Sequence, residues 1–323
     1  MIFNKIEENI KQNITQKPKI VLGLSGGPDS VFLFHFLKKL HNENKITLIA
    51  AHLDHGWRKE SEKDAKFCEQ LCKQHGIEFI SEHTNNLCLN SKFNGSKEEM
   101  GRNLRRIFLE NILKDQNANL IALAHHLQDQ QETFFWRIIR GCSLTGLTCM
   151  KQIDLPYLRP LLNINKQEIL DYLHKNKIEY LQDETNSSEA YLRNRIRKYV
   201  LPAMQKSDSR FDSKFKSTLQ HLQEEEIFLK NLTEEAFQKV FAEHGTKTSG
   251  NLLEFLKQNN VLQKRLIIYW LCKQKAVFNS SESYLQEILR FFKNGRGGCH
   301  QLGNNWELCK KKNSFWINKI QNH

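Results

Sequence analysis

The chain has 323 residues, of which 39% are hydrophobic, and its 48 Lys and Arg against 36 Asp and Glu give a formal net charge of +12. This length predicts two domains, and no apolar run reaches the roughly 20 residues that a membrane span needs. The polar N-terminal stretch has no signal-peptide centre, so we expect a cytoplasmic protein with no membrane partner. The eight cysteines follow no regular framework, which indicates reduced thiols.

The positive charge is concentrated in two stretches of the chain. Residues 186–216 hold eight basic and three acidic residues, and residues 291–323 hold six basic residues and one acidic residue. Such clustering favours a nucleic-acid partner over an evenly solvated lysine-rich surface. The candidate nucleic-acid contacts are the basic side chains of these stretches: Arg193, Arg195, Arg197, Lys310, Lys311 and Lys312.

Predicted strands and helices alternate through the first part of the chain. Buried strands are predicted over 20–24, 46–53, 77–81 and 119–124. Helices are predicted over 3–16, 31–37, 60–75, 98–113 and 165–175. This alternation predicts the α/β class, with a doubly wound, Rossmann-like parallel sheet that carries helices on both faces.

The alternation of predicted strands and helices ends near residue 211. A long charged helix is predicted over 213–242, a mostly helical region over 250–293 and a strand-like tail over 297–317. We therefore expect a catalytic domain over 1–210. A connector helix and a second, mostly helical domain ending in a few strands are expected over 211–323.

The most informative stretch is Ser25-Gly-Gly-Pro-Asp-Ser30, between the first strand and its helix. Two adjacent glycines allow a sharp turn, and a proline suits the first turn of a helix, whose N-terminus is positive. The loop lacks the Gly-Lys-Ser/Thr ending of a Walker A and the G-x-G-x-x-G of a dinucleotide fingerprint. We predict a phosphate cradle formed by Ser25, Gly26, Gly27, Pro28, Asp29 and Ser30.

Asp29 indicates that a metal ion accompanies the phosphate in this loop. A carboxylate beside phosphate oxygens repels them unless a hard cation lies between, so Asp29 is predicted to bind Mg²⁺. The competing interpretation is an ordinary glycine turn in which Asp29 caps the helix.

Polar side chains follow two further predicted strands at their carboxyl ends, where a doubly wound sheet binds its ligands. The fourth strand is followed by His125, Asp129 and Glu132, whose spacings of four and three predict one shared helical face. Core histidines are the competing explanation, and the absence of H-E-x-x-H disfavours a zinc hydrolase. The carboxyl end of the second strand carries three candidate nucleotide contacts: His52, Asp54 and His55.

The predicted helix over 98–113 carries three arginines in its N-terminal half. A helix dipole does not favour arginines there, and such residues often bind a phosphate or a carboxylate. Surface salt bridges with neighbouring glutamates explain them equally well, so both interpretations stay open. The three residues are Arg102, Arg105 and Arg106.

Several stretches together resemble one known family. The glycine loop resembles the pyrophosphate loop (PP-loop) of the ATP-pyrophosphatases. With it, over about residues 18–203, the chain resembles the N-terminal domain of the tRNA(Ile)-lysidine synthases, and the strand-like tail resembles their first C-terminal domain. The stretches that carry this resemblance are HLDHGWR (52–58), EEMGRNLRR (98–106), HHLQDQQET (125–133), RGCSLTGL (140–147), RPLL (159–162), DETN (183–186) and RNRIR (193–197).

The resemblance implies a reaction and its partners. The implied enzyme is an AMP-forming ligase that uses ATP and Mg²⁺ to join free L-lysine to C2 of the wobble cytidine in the CAU anticodon of tRNA(Ile). The reaction passes through an adenylated cytidine and changes codon reading from AUG to AUA. A homodimer is left open. The implied roles are metal binding by Asp29, nucleotide binding by His125, lysine binding by Asp129, Glu132 and Arg105, and catalysis by Asp29, Asp129, Glu132 and Arg102.

Three other functions are compatible with the glycine loop. A tRNA 2-thiolation enzyme shares it, but usually brings a C-x-x-C or a catalytic cysteine pair, and this sequence has no C-x-x-C. An amidotransferase ligase such as a GMP synthetase needs a glutaminase domain or partner. A non-enzymatic RNA-binding module with a vestigial loop would tolerate the loss of Asp29, Asp129 and Glu132, which are all present.

Overall fold

A computed structural model describes residues 3, 7, 17–57, 61–86, 97–182, 189, 191–244, 247–278, 281–303 and 305–320. The chain divides into two compact units, Met1–Leu222 and Gln223–His323. Most of the helix expected over 3–16 and the whole stretch 183–186 lie outside the described residues. Within the described part of the chain, no helix is both long and apolar enough to cross a membrane.

The first unit is built on a six-stranded sheet in the order β3-β2-β1-β4-β6-β5. Its strands are β1 (Lys19–Gly23), β2 (Thr47–Asp54), β3 (Glu78–His83), β4 (Leu120–Ala122), β5 (Ile153–Asp154) and β6 (Tyr157–Leu158). Neighbouring strands pair in parallel, except for the antiparallel pair of β5 and β6 at one edge. The strand order reverses between β1 and β4, which is where open α/β sheets bind ligands.

Helices cover both faces of this sheet. Alternate residues of β1 point to opposite sides, so Ile20 and Leu22 pack in one core and Val21 in the other. The predicted doubly wound α/β fold is therefore confirmed. The helical segments are α1 (Pro28–Asn42), α2 (Ser61–Gln74), a 3₁₀ turn (Thr84–Asn86), α3 (Lys97–Asp115), α4 (Leu127–Arg140), α5 (Leu144–Leu147), α6 (Lys166–Lys175), α7 (Leu192–Arg195), a π-helical turn (Ile196–Val200) and α8 (Leu201–Ser207).

The phosphate-loop candidate lies between two fully buried elements. The middle of β1, residues 20–22, is completely buried, as expected for a strand of a parallel sheet covered on both faces. On the other side, Phe32, Phe34 and Phe36 of α1 are also completely buried. Truncating one of these rings to alanine would cost about 3–5 kcal/mol. The loop between β1 and α1 is therefore held at both ends by the core.

The second unit contains an antiparallel sheet in the order β7-β8-β11-β10-β9. Its strands are β7 (Phe241–His244), β8 (Lys247–Asn251), β9 (Gly298–Leu302), β10 (Trp306–Lys311) and β11 (Ser314–Lys319). Its helices are α10 (Leu252–Leu256), α11 (Asn260–Lys273) and α12 (Glu282–Lys293), and α9 (Phe211–Val240) contains the boundary between the units. The predicted long helix and strand-like tail are confirmed, whereas the β7–β8 hairpin was not predicted.

Cys299 and Cys309 form a disulfide between β9 and β10. They are directly opposite each other in the antiparallel ladder, so their side chains lie on the same face and close together. The expectation of reduced thiols is therefore wrong for this pair. The other described cysteines are free: Cys68, Cys72, Cys142, Cys149 and Cys272.

Candidate active site

The loop over residues 25–30 is held together by two serine hydroxyl groups. Ser30 Oγ donates a hydrogen bond of 2.9 Å to the Gly27 carbonyl. It accepts one of 3.1 Å from the Ser25 hydroxyl and one of 3.2 Å from the Ser25 backbone N–H. Gly27 is the N-cap of α1, and Pro28 is its first residue. The loop therefore presents a helix N-terminus beside two hydroxyl groups, an arrangement that suits a phosphate.

Gly26 is required by the geometry of this loop. Its φ of +79° lies in the left-handed region, and an added Cβ would lie 2.6 Å from Leu181 Cδ1. The Leu181 backbone N–H also donates to the Gly26 carbonyl at 2.9 Å. Backbone conformation and close packing both require glycine at this position.

A cavity of about 200 Å³ opens beside the loop, and we call it the nucleotide cavity. Its apolar lining includes Leu53 and Phe108. Two predicted nucleotide contacts, Asp54 and His55, are not part of its lining, while Gly26 and Pro28 complete the loop itself. The predicted residues that do line it are Ser25, Gly27, Asp29, Ser30, His52, Arg105 and His125.

His52 also has a structural role in this cavity. It is 6% exposed, and its Nδ1 donates a hydrogen bond of 2.9 Å to the Leu24 carbonyl. This bond joins the carboxyl end of β2 to the residue that follows β1. His52 therefore fixes the position of Leu24 at the edge of the nucleotide cavity, directly before the phosphate loop.

Two side chains from distant parts of the chain approach Asp29. Lys166 Nζ lies 2.5 Å from Asp29 Oδ1, and His126 Nε2 lies 3.7 Å from Asp29 Oδ2. The same His126 atom is 3.5 Å from Asp129 Oδ2, so two carboxylates converge on one imidazole. These four residues form the acidic–basic cluster beside the phosphate loop.

Lys166 reaches this cluster because α4 and α6 begin side by side. Gln128 accepts a hydrogen bond of 2.9 Å from the Lys166 backbone N–H. The Gln128 amide also donates to Asn165, the N-cap of α6, at 3.1 Å. Lys166 could not be predicted from the sequence, because 137 residues separate it from Asp29 and no spacing rule connects the two.

The protonation of the cluster follows from its surroundings. Burial would raise the pKa of Asp129, but His126, His125 and the His126 backbone N–H hold it below its ordinary value. Burial lowers the pKa of His125, the Asp129 charge opposes this, and Arg159 and Arg102 lower it further. At neutral pH, Asp129 is therefore an anion and His125 is uncharged.

The prediction that three residues share one helical face is wrong for His125. Helix α4 begins at Leu127, and its N-cap is His126, so His125 precedes the helix. His125 was predicted because it is four residues from Asp129, and the role of His126 depends on where the helix starts, which the sequence does not fix. Asp129 and Glu132 do lie on α4, but they contact different partners.

Glu132 is enclosed by arginines. Its side chain is 1% exposed, and Arg197 binds it through Nε–Oε1 and Nη2–Oε2 hydrogen bonds of 2.6 and 3.0 Å. Arg193 Nε lies 3.5 Å from Glu132 Oε2, and Arg193 also donates to Thr133 at 2.8 Å. This carboxylate is suited to holding α4 against the π-helical turn rather than to binding a free amine.

The basic residues predicted to bind RNA differ in their exposure and in the groups that they contact. Arg195 donates to the Glu189 carbonyl at 2.8 Å. Lys310 is 4% exposed, and its ammonium group donates to the backbone carbonyls at the end of α12. Lys310 is therefore placed to stabilise a helix C-terminus rather than to contact RNA. Lys311 and Lys312 are exposed at the β10–β11 turn.

The three arginines of α3 also differ in the groups that surround their side chains. Arg105 lines the nucleotide cavity, and its Nη2 lies 3.4 Å from His55 Nε2. Arg106 forms an ion pair of 2.8 Å with Glu110, which is the surface salt-bridge alternative. Arg102 has an exposed side chain. Of these three arginines, Arg105 is the one that lines the nucleotide cavity.

Several known proteins are similar to this chain in sequence. The tRNA(Ile)-lysidine synthases of Bacillus cereus (strain ATCC 10987 / NRS 248) and Bacillus subtilis (strain 168) are each 34% identical to this chain. These matches cover 90% and 88% of this chain and 63% and 62% of the relatives. The "Bifunctional protein TilS/HprT" of Listeria monocytogenes is 32% identical, over 82% of this chain and 42% of its own. The chain thus spans less than two thirds of these relatives.

Solved structures and a domain profile agree on the fold. A U34-tRNA thiolase NcsA from Methanococcus maripaludis superposes with a TM-score of 0.59 at 20% identity, over 69% of this chain and 78% of that protein. A profile of the PP-loop domain matches residues 2–204, which include the glycine loop, the six-stranded sheet and the acidic–basic cluster. The chain therefore belongs to the PP-loop domain family.

Proposed function

We propose that the protein is a tRNA(Ile)-lysidine synthase, an AMP-forming ligase that joins free L-lysine to C2 of the wobble cytidine in a CAU anticodon. The observation that carries this proposal is the acidic–basic cluster of Asp29, His126, Asp129 and Lys166 beside a phosphate loop. It occurs in a chain similar to proteins that bear this name.

The first step in this proposal is adenylation of the cytidine by ATP. The phosphates of ATP bind at loop 25–30, where the Ser25 and Ser30 hydroxyls and the α1 N-terminus stabilise the pyrophosphate. The cytidine O2 attacks the α-phosphate, the bond between the α- and β-phosphates breaks, and pyrophosphate leaves. Lys166, held next to Asp29 by Gln128, adds a positive charge on the same side of the loop.

Asp29 is the candidate ligand for magnesium. It lines the nucleotide cavity together with the Ser25 and Ser30 hydroxyls, so hard oxygen donors lie beside the phosphate loop. Mg²⁺ is commonly bound by one or two carboxylates together with substrate phosphates and water. When bound, the ion screens the charge that develops on the departing pyrophosphate.

The second step transfers lysine to the activated base. The ε-amine of free lysine has a pKa of about 10.4, so only about 0.04% of it is neutral at pH 7. Asp129, held as an anion, pairs with the ammonium group and accepts one proton from it, which frees the nitrogen lone pair for attack. After this proton passes to solvent, Asp129 accepts the second proton that the nitrogen loses once it is bonded to C2. The N–C2 bond forms as the C2–O2 bond breaks, and AMP leaves. Glu132, enclosed by two arginines, positions α4.

A tRNA thiolation enzyme is the second candidate because a thiolase shares the fold. That chemistry depends on a reactive thiolate. Cys68 and Cys72 are completely buried, and burial raises the pKa of both thiols, to about 12 for Cys72. These two thiols are therefore inert and unsuited to thiolation chemistry.

The test of the proposed function is ATP-dependent incorporation of labelled lysine into tRNA. We expect acid-precipitable label that requires ATP, Mg²⁺ and a transcript with cytidine at the wobble position. The matched control transcript carries uridine there and should remain unlabelled. Equal labelling of both transcripts, or labelling without ATP, would contradict the proposal.

A further inference from the structure

A second cavity, of about 450 Å³, lies in the first unit, and we call it the side cavity. Its volume falls in the range of small-molecule sites. The nucleotide cavity and the side cavity are neighbours, because Arg105 lines the first, His55 lines the second, and these side chains lie 3.4 Å apart. The side-cavity walls come from the ends of β2 and β3 and from α3, and they include His55, Trp57, Thr84, Asn85, Met100 and Leu104.

One wall of the side cavity is a flat aromatic surface. The rings of Trp57 and His55 stack with centroids 4.6 Å apart and an angle of 25° between their planes. Trp57 remains 39% exposed. Gly101 of α3 fixes the position of the indole, because an added Cβ would lie 2.4 Å from Trp57 Cη2. The side cavity therefore offers an aromatic face whose position depends on a glycine.

The polar side chains of the side cavity include two histidines, His55 and His83. Burial, and then the charge of Arg105, lower the pKa of His55 to about 4, so its imidazole is neutral at pH 7. His55 Nδ1 is buried and has no hydrogen-bond partner among the described residues. No carboxylate or ammonium group belongs to the described lining. This chemistry suits an uncharged heteroaromatic ring with hydrogen-bonding edges better than a cationic amine such as lysine.

We propose that the side cavity binds the unstacked pyrimidine base that is to be adenylated, with its ring against Trp57 and one edge towards His55 Nδ1. This inference rests on the proposed function and extends it by placing the RNA base in a particular cavity. A base that undergoes chemistry must leave its stack, and proteins hold such bases against aromatic side chains. The His55–Arg105 contact brings the base beside the nucleotide cavity, which contains the phosphate loop.

A photochemical crosslink tests where the base lies. The probe is an anticodon stem-loop RNA with a CAU anticodon and 5-iodocytidine at the wobble position, and the control RNA carries the same nucleoside in its stem. We expect a crosslink to the peptide that contains Trp57 with the first RNA only. A wobble-position crosslink that maps outside the side cavity would overturn the proposal. The crosslink reports base binding without chemistry, so it decides the question even if no lysine is transferred and the proposed function fails.

Two substitutions at Trp57 provide a kinetic test. Trp57→Leu removes the aromatic face and should raise the KM for RNA about tenfold or more, with the KM for ATP unchanged. Trp57→Phe keeps an aromatic face and should restore most of the affinity. Gly101→Ala, which displaces the indole from α3, should resemble Trp57→Leu. A wild-type KM for RNA in both Trp57→Leu and Gly101→Ala, or a rise in the KM for ATP alone, would reject the side cavity as the base site.

Discussion

Lys166 and Asp29 form an ion pair with 2.5 Å between Nζ and Oδ1, although 137 residues separate them in the chain. Each residue lies in the first turn of its helix, Asp29 in α1 and Lys166 in α6. The pair therefore brings two helix N-termini to the phosphate loop. A lysine in this position balances the carboxylate and adds positive charge where an anionic ligand binds.

Replacing Asp29 tests its proposed metal role, since the N-cap of α1 is Gly27 and not Asp29. Asp29→Asn keeps the shape but removes the charge, so RNA-dependent pyrophosphate release should fall at least about a hundredfold. The fold should be retained. Asp171→Asn, at an exposed position of α6, is the matched control and should release pyrophosphate at the wild-type rate. Near-normal release by Asp29→Asn would contradict the metal role and leave Asp29 only as the ion-pair partner of Lys166.

The two acidic residues of α4 should behave differently when neutralised. Glu132→Gln removes the partner of Arg197, so we expect the free energy of unfolding to fall by about 2 kcal/mol, less than for a fully buried pair because Arg197 is partly exposed. The KM for lysine should change little. Asp129→Asn should raise the KM for lysine or slow lysine transfer about tenfold or more, with adenylation retained. Denaturant unfolding measures the change in stability, and transfer kinetics measure the change in lysine handling. If Glu132→Gln impaired lysine transfer and Asp129→Asn lowered the stability instead, the two assigned roles would have to be exchanged.

The end of the catalytic unit can be tested by truncation. Phe215 and Leu219 of α9 pack against Leu127 of α4, and Asp212 accepts a hydrogen bond of 2.8 Å from Gln131. A chain that ends after residue 210 loses these contacts, whereas one that ends after residue 222 keeps them. The longer fragment should bind ATP and unfold at a clearly higher temperature, because losing one buried aromatic ring costs about 3–5 kcal/mol. Equal unfolding temperatures would contradict this boundary.

Acid should destabilise the first unit through His35 of α1. Burial, and then the charges of Lys38 and His75, lower the pKa of His35 from 6.5 to about 4. The unfolded chain binds a proton below pH 6.5 and the folded chain only near pH 4, so the free energy of unfolding falls as the pH drops through this window. The full shift corresponds to about 3 kcal/mol, and partial exposure reduces the expected loss to about half.

Substitution of His35 checks this pH dependence. His35→Gln should flatten the dependence of unfolding free energy on pH between 6.5 and 4, and His221→Gln, at an exposed position of α9, is the control. Urea unfolding across this pH range measures the slope. An unchanged slope in His35→Gln would show that other groups account for the acid sensitivity.

Adjacent lysines of the β10–β11 hairpin should have separate effects. Lys310→Met removes a buried charge that caps α12, so we expect a loss of about 1–2 kcal/mol in the free energy of unfolding. Lys311→Met and Lys312→Met should leave stability unchanged. The affinity for tRNA falls as salt rises, and each substitution should make the slope of log affinity against log salt less steep by about 0.9, if the lysine contacts one phosphate. Equal slopes in wild type and both variants would remove this turn from the RNA surface.

The features predictable from sequence were those with a short-range cause. Continuous apolar runs such as 20–22 identify buried strands, and the glycines of loop 25–30 identify a sharp turn before a helix. The contacts of Lys166 with Asp29 and of Arg197 with Glu132 were not predictable, because strand order and helix packing bring them together. The Cys299–Cys309 pair depends in the same way on the register of β9 against β10.

The most direct test of the central claim follows the α-phosphate of ATP. The enzyme is incubated with ATP labelled at that phosphate, Mg²⁺ and a CAU-anticodon transcript, first without and then with lysine. We predict label attached to the RNA in the absence of lysine, and its quantitative release as AMP when lysine is added, with one lysine joined to the RNA for each AMP released. Label that never enters the RNA while lysine is still incorporated, or formation of ADP in place of AMP, would contradict the account.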